Sequence, residues 1–154
     1  MDGPRLVVLV GLPASGKSTF YARHLAPTHL HISKDNWPNA RRRDARQRRL
    51  VRDALAAGSA VALDNTNASV AERAPLIAIA RAAGAEVFGY WFPPDLPGTL
   101  RRNAVREGRA RVPDVGVYAT LGRLVRPAVD EGFDGLYEVT LDGAGGFRVT
   151  AMST

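Results

Sequence analysis

Apolar residues in this chain fall into short runs divided by polar, glycine-bearing and proline-bearing stretches, and the spacing within the runs changes along the sequence. Leu6 to Val10, His29 to Ile32, Ala60 to Leu63 and Ala85 to Phe92 are short and largely apolar, the pattern of strands buried on both faces. Between them lie segments with helical spacing. The first runs from Gly16 to Leu25 and halts before Pro27. The second covers Arg43 to Ala57, with Leu50, Val51, Ala54 and Leu55 inward and Gly58 ending it. Ser69 and Glu72 form a capping box that opens the third, which closes near Ala83-Gly84. Past Pro93-Pro94 the sequence predicts a helix over Leu96 to Arg106 and a loop holding Gly108 and Pro113. A further helix should pass through Tyr118 and Leu124 towards Val129. Leu136 to Leu141 and Phe147 to Thr150 read as final short strands, a hairpin around Gly143 to Gly146. Alternating strands and helices predict an α/β fold, helices packed around a mainly parallel sheet, in which ligands bind beyond the carboxyl ends of the strands.

Composition narrows this picture. The chain has 154 residues, 45% of them hydrophobic, which suits one domain over 1–154 with an ordinary core and no repeat or linker. With no cysteine, a disulfide framework, a thiolate metal site and cysteine nucleophilic catalysis are excluded. No segment has the length of a bilayer span, and no basic stretch followed by an apolar one opens the chain, so the expected location is cytoplasmic with no membrane partner. The net charge of +6 is carried almost wholly by arginine, clustered at 41–52 and again at 101–111. Such clusters suit phosphate-bearing partners, although a compositional habit of a whole proteome would leave the same trace.

The sharpest chemical signal follows the first strand. Gly11-Leu12-Pro13-Ala14-Ser15-Gly16-Lys17-Ser18 fits G-x-x-x-x-G-K-[ST], the loop whose backbone N–H groups cradle nucleoside triphosphate. Gly11, Pro13, Ala14, Ser15, Gly16 and Thr19 are its expected phosphate-binding neighbours. Lys17 would bridge the β- and γ-phosphates and the Ser18 hydroxyl would face magnesium. ATP and Mg²⁺ are therefore the expected cofactors.

Two more strand ends deliver polar groups to the same side. Asp35, after the second strand, is the candidate general base for an acceptor hydroxyl; a turn cap with Asn36 and Pro38 is its alternative. Asp64, after the third, would hold a magnesium-bound water or fix Lys17 and Ser18. Asn65, Thr66 and Asn67 would orient substrate or the neighbouring Asp35, and Trp37 is a possible acceptor contact. The stretch at about 96–116, with Arg102 and Arg106 one helical turn apart, reads as an arginine lid that closes on the transferring group. Trp91 and Phe92 are expected in the core, and His24, His29 and His31 lack metal-ligand spacing.

Together these motifs resemble the kinase domain of polynucleotide 5′-hydroxyl kinases, especially the animal type that accompanies a phosphatase domain, within the broader group of small bacterial P-loop kinases. The likeness is carried by Gly11 to Phe20, Ser33-Lys34-Asp35, Val61-Ala62-Leu63-Asp64-Asn65-Thr66-Asn67, Arg102-Asn103-Ala104-Val105-Arg106 and Val112-Pro113 through Tyr118, and covers roughly residues 5 to 141. It implies a P-loop kinase-like three-layer sandwich and ATP-dependent phosphorylation of a 5′-hydroxyl on DNA or RNA. Asp35 would be the base, Lys17 and Ser18 would meet ATP and magnesium, and Arg106 would be the lid's clamp. Position 38 is proline where the phage type carries an arginine that grips the acceptor's phosphate, and position 34 is lysine where arginine is usual. No D-x-D-x-T phosphatase signature occurs. A metabolite or antibiotic kinase, with a small hydroxyl-bearing substrate, is the alternative on the same scaffold, and a nucleotide-dependent ATPase switch is the third reading.

Overall fold

A computed structural model describes residues 3–152. Six strands form one sheet: β1 (Arg5–Val10), β2 (Leu30–Ile32), β3 (Ala60–Asp64), β4 (Glu86–Trp91), β5 (Gly135–Leu141) and β6 (Phe147–Ala151), in the order β2-β3-β1-β4-β5-β6. All neighbours are parallel except β5 and β6, which form the expected hairpin. The central strand β1 pairs Leu9 with Asp64 of β3 on one side and with Tyr90 of β4 on the other. Neighbouring strand ends therefore bring the loop after β1 and the loop after β3 side by side, at the carboxyl edge where such sheets bind ligands.

Alternate residues of β1 feed two cores, as the two-residue period of a strand requires. Leu6, Val8 and Val10 pack with Val51 and Leu55 of α2 (Arg43–Ala56) and with Leu76, Ile77 and Ala80 of α3 (Val70–Ala82). Val7 and Leu9 meet Phe20, Leu25 and Phe92 on the opposite face. Trp91 and Phe92 are buried, as their strand predicts.

Helical boundaries depart from expectation in three places. The first helix is α-helical only over α1 (Lys17–Phe20) and continues as a π turn at Tyr21–Leu25, where the Ala26 N–H bonds the Tyr21 carbonyl at 2.8 Å. Helix α4 (Leu96–Ala104) stops two residues short of Arg106. Helix α5 (Asp114–Arg123) ends well before Val129, because the chain turns extended at Leu124 and the Val125 N–H joins the Ala68 carbonyl at 2.7 Å. That tertiary hydrogen bond overrides a helical run that the sequence pattern alone would continue.

Arg73 anchors the same crossing. Fully buried, it forks onto Glu131 at 2.8 and 3.0 Å and donates to the carbonyls of Asn67, Ala68 and Val125. This staple holds the segment after β3 in place. No helix among the described residues is long and apolar enough to cross a membrane.

Candidate functional site

The loop after β1 is shaped by two glycines. At Gly11 a side chain would start 2.8 Å from Phe92 Cβ and 3.0 Å from Ser15 Oγ, so only hydrogen fits, and the Gly11 N–H joins the Thr66 carbonyl at 3.1 Å. Gly16 takes φ +102, a left-handed conformation that precedes the first turn of α1. Lys17 reaches back into the loop and donates to the carbonyls of Gly11 (3.0 Å) and Leu12 (2.6 Å) and to Ser15 Oγ (3.3 Å). Burial lowers its pKa from 10.5 to about 8, against the raising influence of the Asp64 and Asp35 charges. Pro13, Ala14, Ser15, Lys17 and Ser18 line a cleft of about 1090 Å³, whereas the Thr19 side chain is exposed outside it.

Asp64, the last residue of β3, is 5% exposed and accepts hydrogen bonds from Ser18 Oγ at 2.6 Å and His31 Nε2 at 2.9 Å. Burial alone would raise its pKa. The hydrogen bonds from His31 and Ser18, with the charge of Lys17, outweigh burial and hold the carboxyl below its ordinary range.

Ser33 caps a short 3₁₀ turn at Lys34–Asn36, its hydroxyl taking the Asp35 N–H at 3.2 Å. Asn65 pins this turn: its carbonyl oxygen accepts the Lys34 N–H at 2.9 Å while its amide donates to Gln47 Oε1 of α2 at 2.6 Å. The Asp35 side chain is exposed, lines the cleft, and has no hydrogen-bond partner among the described residues. Ser33, not Asp35, therefore performs the turn-capping duty. Every other acid along the cleft is engaged: Asp44 with Lys34 at 3.1 Å, Glu72 with Arg123 at 3.1 Å, and Asp64 as above.

The far walls are basic. Arg43 and Arg48 of α2 face the cleft, as do Arg106 and Arg109 of the segment after α4. Buried Asn103 closes that segment on itself, donating to the Val112 carbonyl at 2.5 Å and accepting the Val112 N–H at 2.9 Å.

Three expectations need correction. Arg102 does not share a helical face with Arg106, since α4 ends between them; its Nε instead holds the Ala14 carbonyl at 2.7 Å and it does not line the cleft. Asn67 is 4% exposed and its amide is committed to the carbonyls of Leu9 (2.7 Å), Leu63 (3.3 Å) and Asn65 (3.3 Å), which makes it a brace of the strand ends. Trp37 packs against the core under the Arg46 guanidinium, 4.8 Å from its ring centroid, and lies outside the cleft lining. Thr66 and Asn65 do line it. Gln47 escaped sequence reading, Asn103 entered it only within the arginine motif, and His31 only as a histidine without metal-ligand spacing. Gln47 and Asn103 stood out only as lone amides inside arginine-rich helices, and His31 only as a polar residue inside an apolar strand.

A family model described as an AAA domain matches residues 6–127. The chain belongs to that family. Among solved structures it is similar to Kti12 of Chaetomium thermophilum in complex with ADP-AlF3, at 21% identity and a TM-score of 0.67, covering 89% of each chain. A fungal RNA kinase is matched at 18% identity and 0.67, over 90% of this chain and 38% of that one. The APS kinase CysC of Mycobacterium tuberculosis, in complex with AMPPNP and APS, is matched at 19% identity and 0.60, over 92% and 91%. The fold is thus the P-loop kinase-like α/β fold that the phosphate loop and the alternating elements predict.

Proposed function

We propose that the protein is a magnesium-dependent ATP kinase that transfers the γ-phosphoryl group to a hydroxyl, with the 5′-hydroxyl end of DNA or RNA as acceptor. The observation that carries this reading is Asp35, the single cleft carboxylate without a partner among the described residues, set in the same cleft as Lys17, Ser18 and Arg106. A free carboxylate there can take the acceptor's proton as its oxygen bonds to the γ-phosphorus and the bond to the β–γ bridging oxygen breaks, leaving ADP. Lys17 and Arg106, which line that cleft, would supply positive charge to the phosphoryl oxygens on which negative charge gathers.

The donor set fits magnesium. Ser18 Oγ and the Asp64 carboxylate are hard oxygen donors that lie together, 2.6 Å apart. Magnesium characteristically takes one or two protein oxygens together with substrate phosphates. When bound there it would neutralise charge on the β- and γ-oxygens.

A nucleic-acid acceptor is favoured by the arginine wall of Arg43, Arg48, Arg106 and Arg109, which offers phosphate-gripping forks beside Asp35. Pro38 at the cleft edge and the likeness to a small-molecule kinase favour the second reading, a metabolite kinase on the same donor site. Asp35→Asn is expected to leave ATP affinity intact and to lower transfer from γ-labelled ATP to a 5′-hydroxyl oligonucleotide by about 10²- to 10⁴-fold. Wild-type transfer by that variant would remove Asp35 as the base. Label on nucleosides or extract metabolites, with none on oligonucleotides, would transfer the assignment to the metabolite reading.

A further inference from the structure

Ser18 Oγ and His31 Nε2 meet Asp64 at one and the same oxygen, Oδ2, while Oδ1 has no hydrogen-bond partner among the described residues. Because a carboxylate oxygen only accepts, the proton of the His31 contact sits on Nε2. His31 is held from behind. Its ring lies 4.6 Å from that of Tyr21, and the Tyr21 hydroxyl donates to the His29 carbonyl at 2.6 Å, tying the aromatic pair to the start of β2. Tyr21 is also the first residue of the π turn, so the departure from α-helical winding lies where the first helix must meet β2.

We infer that His31 is a positioning residue for the metal end of the nucleotide site: by occupying Oδ2 together with Ser18, it leaves Oδ1 of Asp64, a cleft-lining residue, for the cation that would be held there. This rests on the proposed reading of Ser18 and Asp64 as the magnesium contacts. The Tyr21 ring and the π turn hold the imidazole in register, so the carboxylate is oriented before any ligand arrives. Partners of this kind, one bond removed from the cation, change metal affinity without touching the nucleotide.

The test is calorimetric titration of Mg²⁺ into the protein carrying AMPPNP, with thermal unfolding to verify folded protein. His31→Phe keeps an aromatic ring against Tyr21 and removes the N–H, and is expected to weaken Mg²⁺ about tenfold while binding of AMPPNP without metal is unchanged. His31→Gln returns an N–H at the position of Nε2 and is expected to recover most of that loss. Unchanged Mg²⁺ affinity in folded His31→Phe overturns the inference, and so does an equal loss in both variants, since returning the N–H would then recover nothing. If His31→Phe fails to fold, Tyr21→Leu withdraws support from behind the imidazole and is expected to weaken Mg²⁺ in the same direction; no weakening overturns the inference. Asp64→Asn separates the two levels. With Mg²⁺ affinity lost there but intact in His31→Phe, only the role of His31 falls; with it intact in both, the metal assignment falls as well.

Discussion

The floor and the rim of the cleft are built in opposite ways. The floor, from Gly11 to Ser18 with Asp64, is largely withdrawn from solvent up to Lys17, shaped by backbone conformation, and locked to the strand ends by Asn67 and the Thr66 carbonyl. The rim, from Arg101 to Val112 with the start of α2, is largely exposed and carries its chemistry on long arginines. What closes the segment after α4 on itself is chiefly the paired Asn103–Val112 contact, and its main tie to the floor is the single bond from Arg102 to Ala14. A nucleotide tail needs a rigid cradle of N–H donors, whereas a group that must open for exchange and close for transfer needs few and local contacts.

Three measurements press on this contrast, beginning with the largest effect. Gly11→Ala forces a methyl group against Phe92 and Ser15, and overpacking of this kind costs about 1–3 kcal/mol. The expected outcome is a lowered Tm together with lost ATP binding, since loop and core yield as one. A variant of wild-type stability that binds ATP normally would show the floor to be as pliable as the rim.

Asn103→Ala leaves the Val112 N–H and carbonyl without their partner, about 1–3 kcal/mol of local stabilisation. Hydrogen exchange should quicken over residues 105–112 while the amides of β1 and β3 keep their protection. Loosening that spreads to the sheet would contradict a segment stabilised on its own.

The smallest effect is on pH. Lys17 with a pKa of about 8 is half neutral at that pH and loses most of its charge above it, and a bound triphosphate favours the charged amine. ATP affinity should therefore be level at pH values well below 8, bend downward around pH 8 and fall above it, by at most about tenfold per pH unit, with proton uptake on binding. Calorimetry at pH 7 and pH 9 in buffers of different ionisation enthalpy measures both. Affinity independent of pH across this range would mean that Lys17 stays charged in its loop.

The parts of the site that could be read from the sequence are those where local chemistry has one solution. A glycine-lysine-serine loop behind an apolar strand has few other uses, and the Asp64 run at a strand end marks itself by four consecutive polar residues after an apolar stretch. Asn67 and Trp37 misled because residue type does not say where a side chain points. Asn67, at φ +46, turns its amide inward to three carbonyls, and Trp37 finds apolar surface against the core in preference to the cleft. The Arg102–Arg106 pairing failed because it assumed a helix two residues longer than the one that forms.

By itself the sequence determined the alternation of strands and helices, the phosphate loop and the strand-end acids, because hydrophobic period and glycine conformation act over a few residues. Only the tertiary structure decided which acid stays unpaired, how Asn65 ties the Asp35 turn to Gln47, and that His31 of an edge strand meets Asp64 beside Ser18. Those contacts join residues 18 to 46 positions apart, and their geometry follows from sheet order and register, quantities that no local pattern encodes.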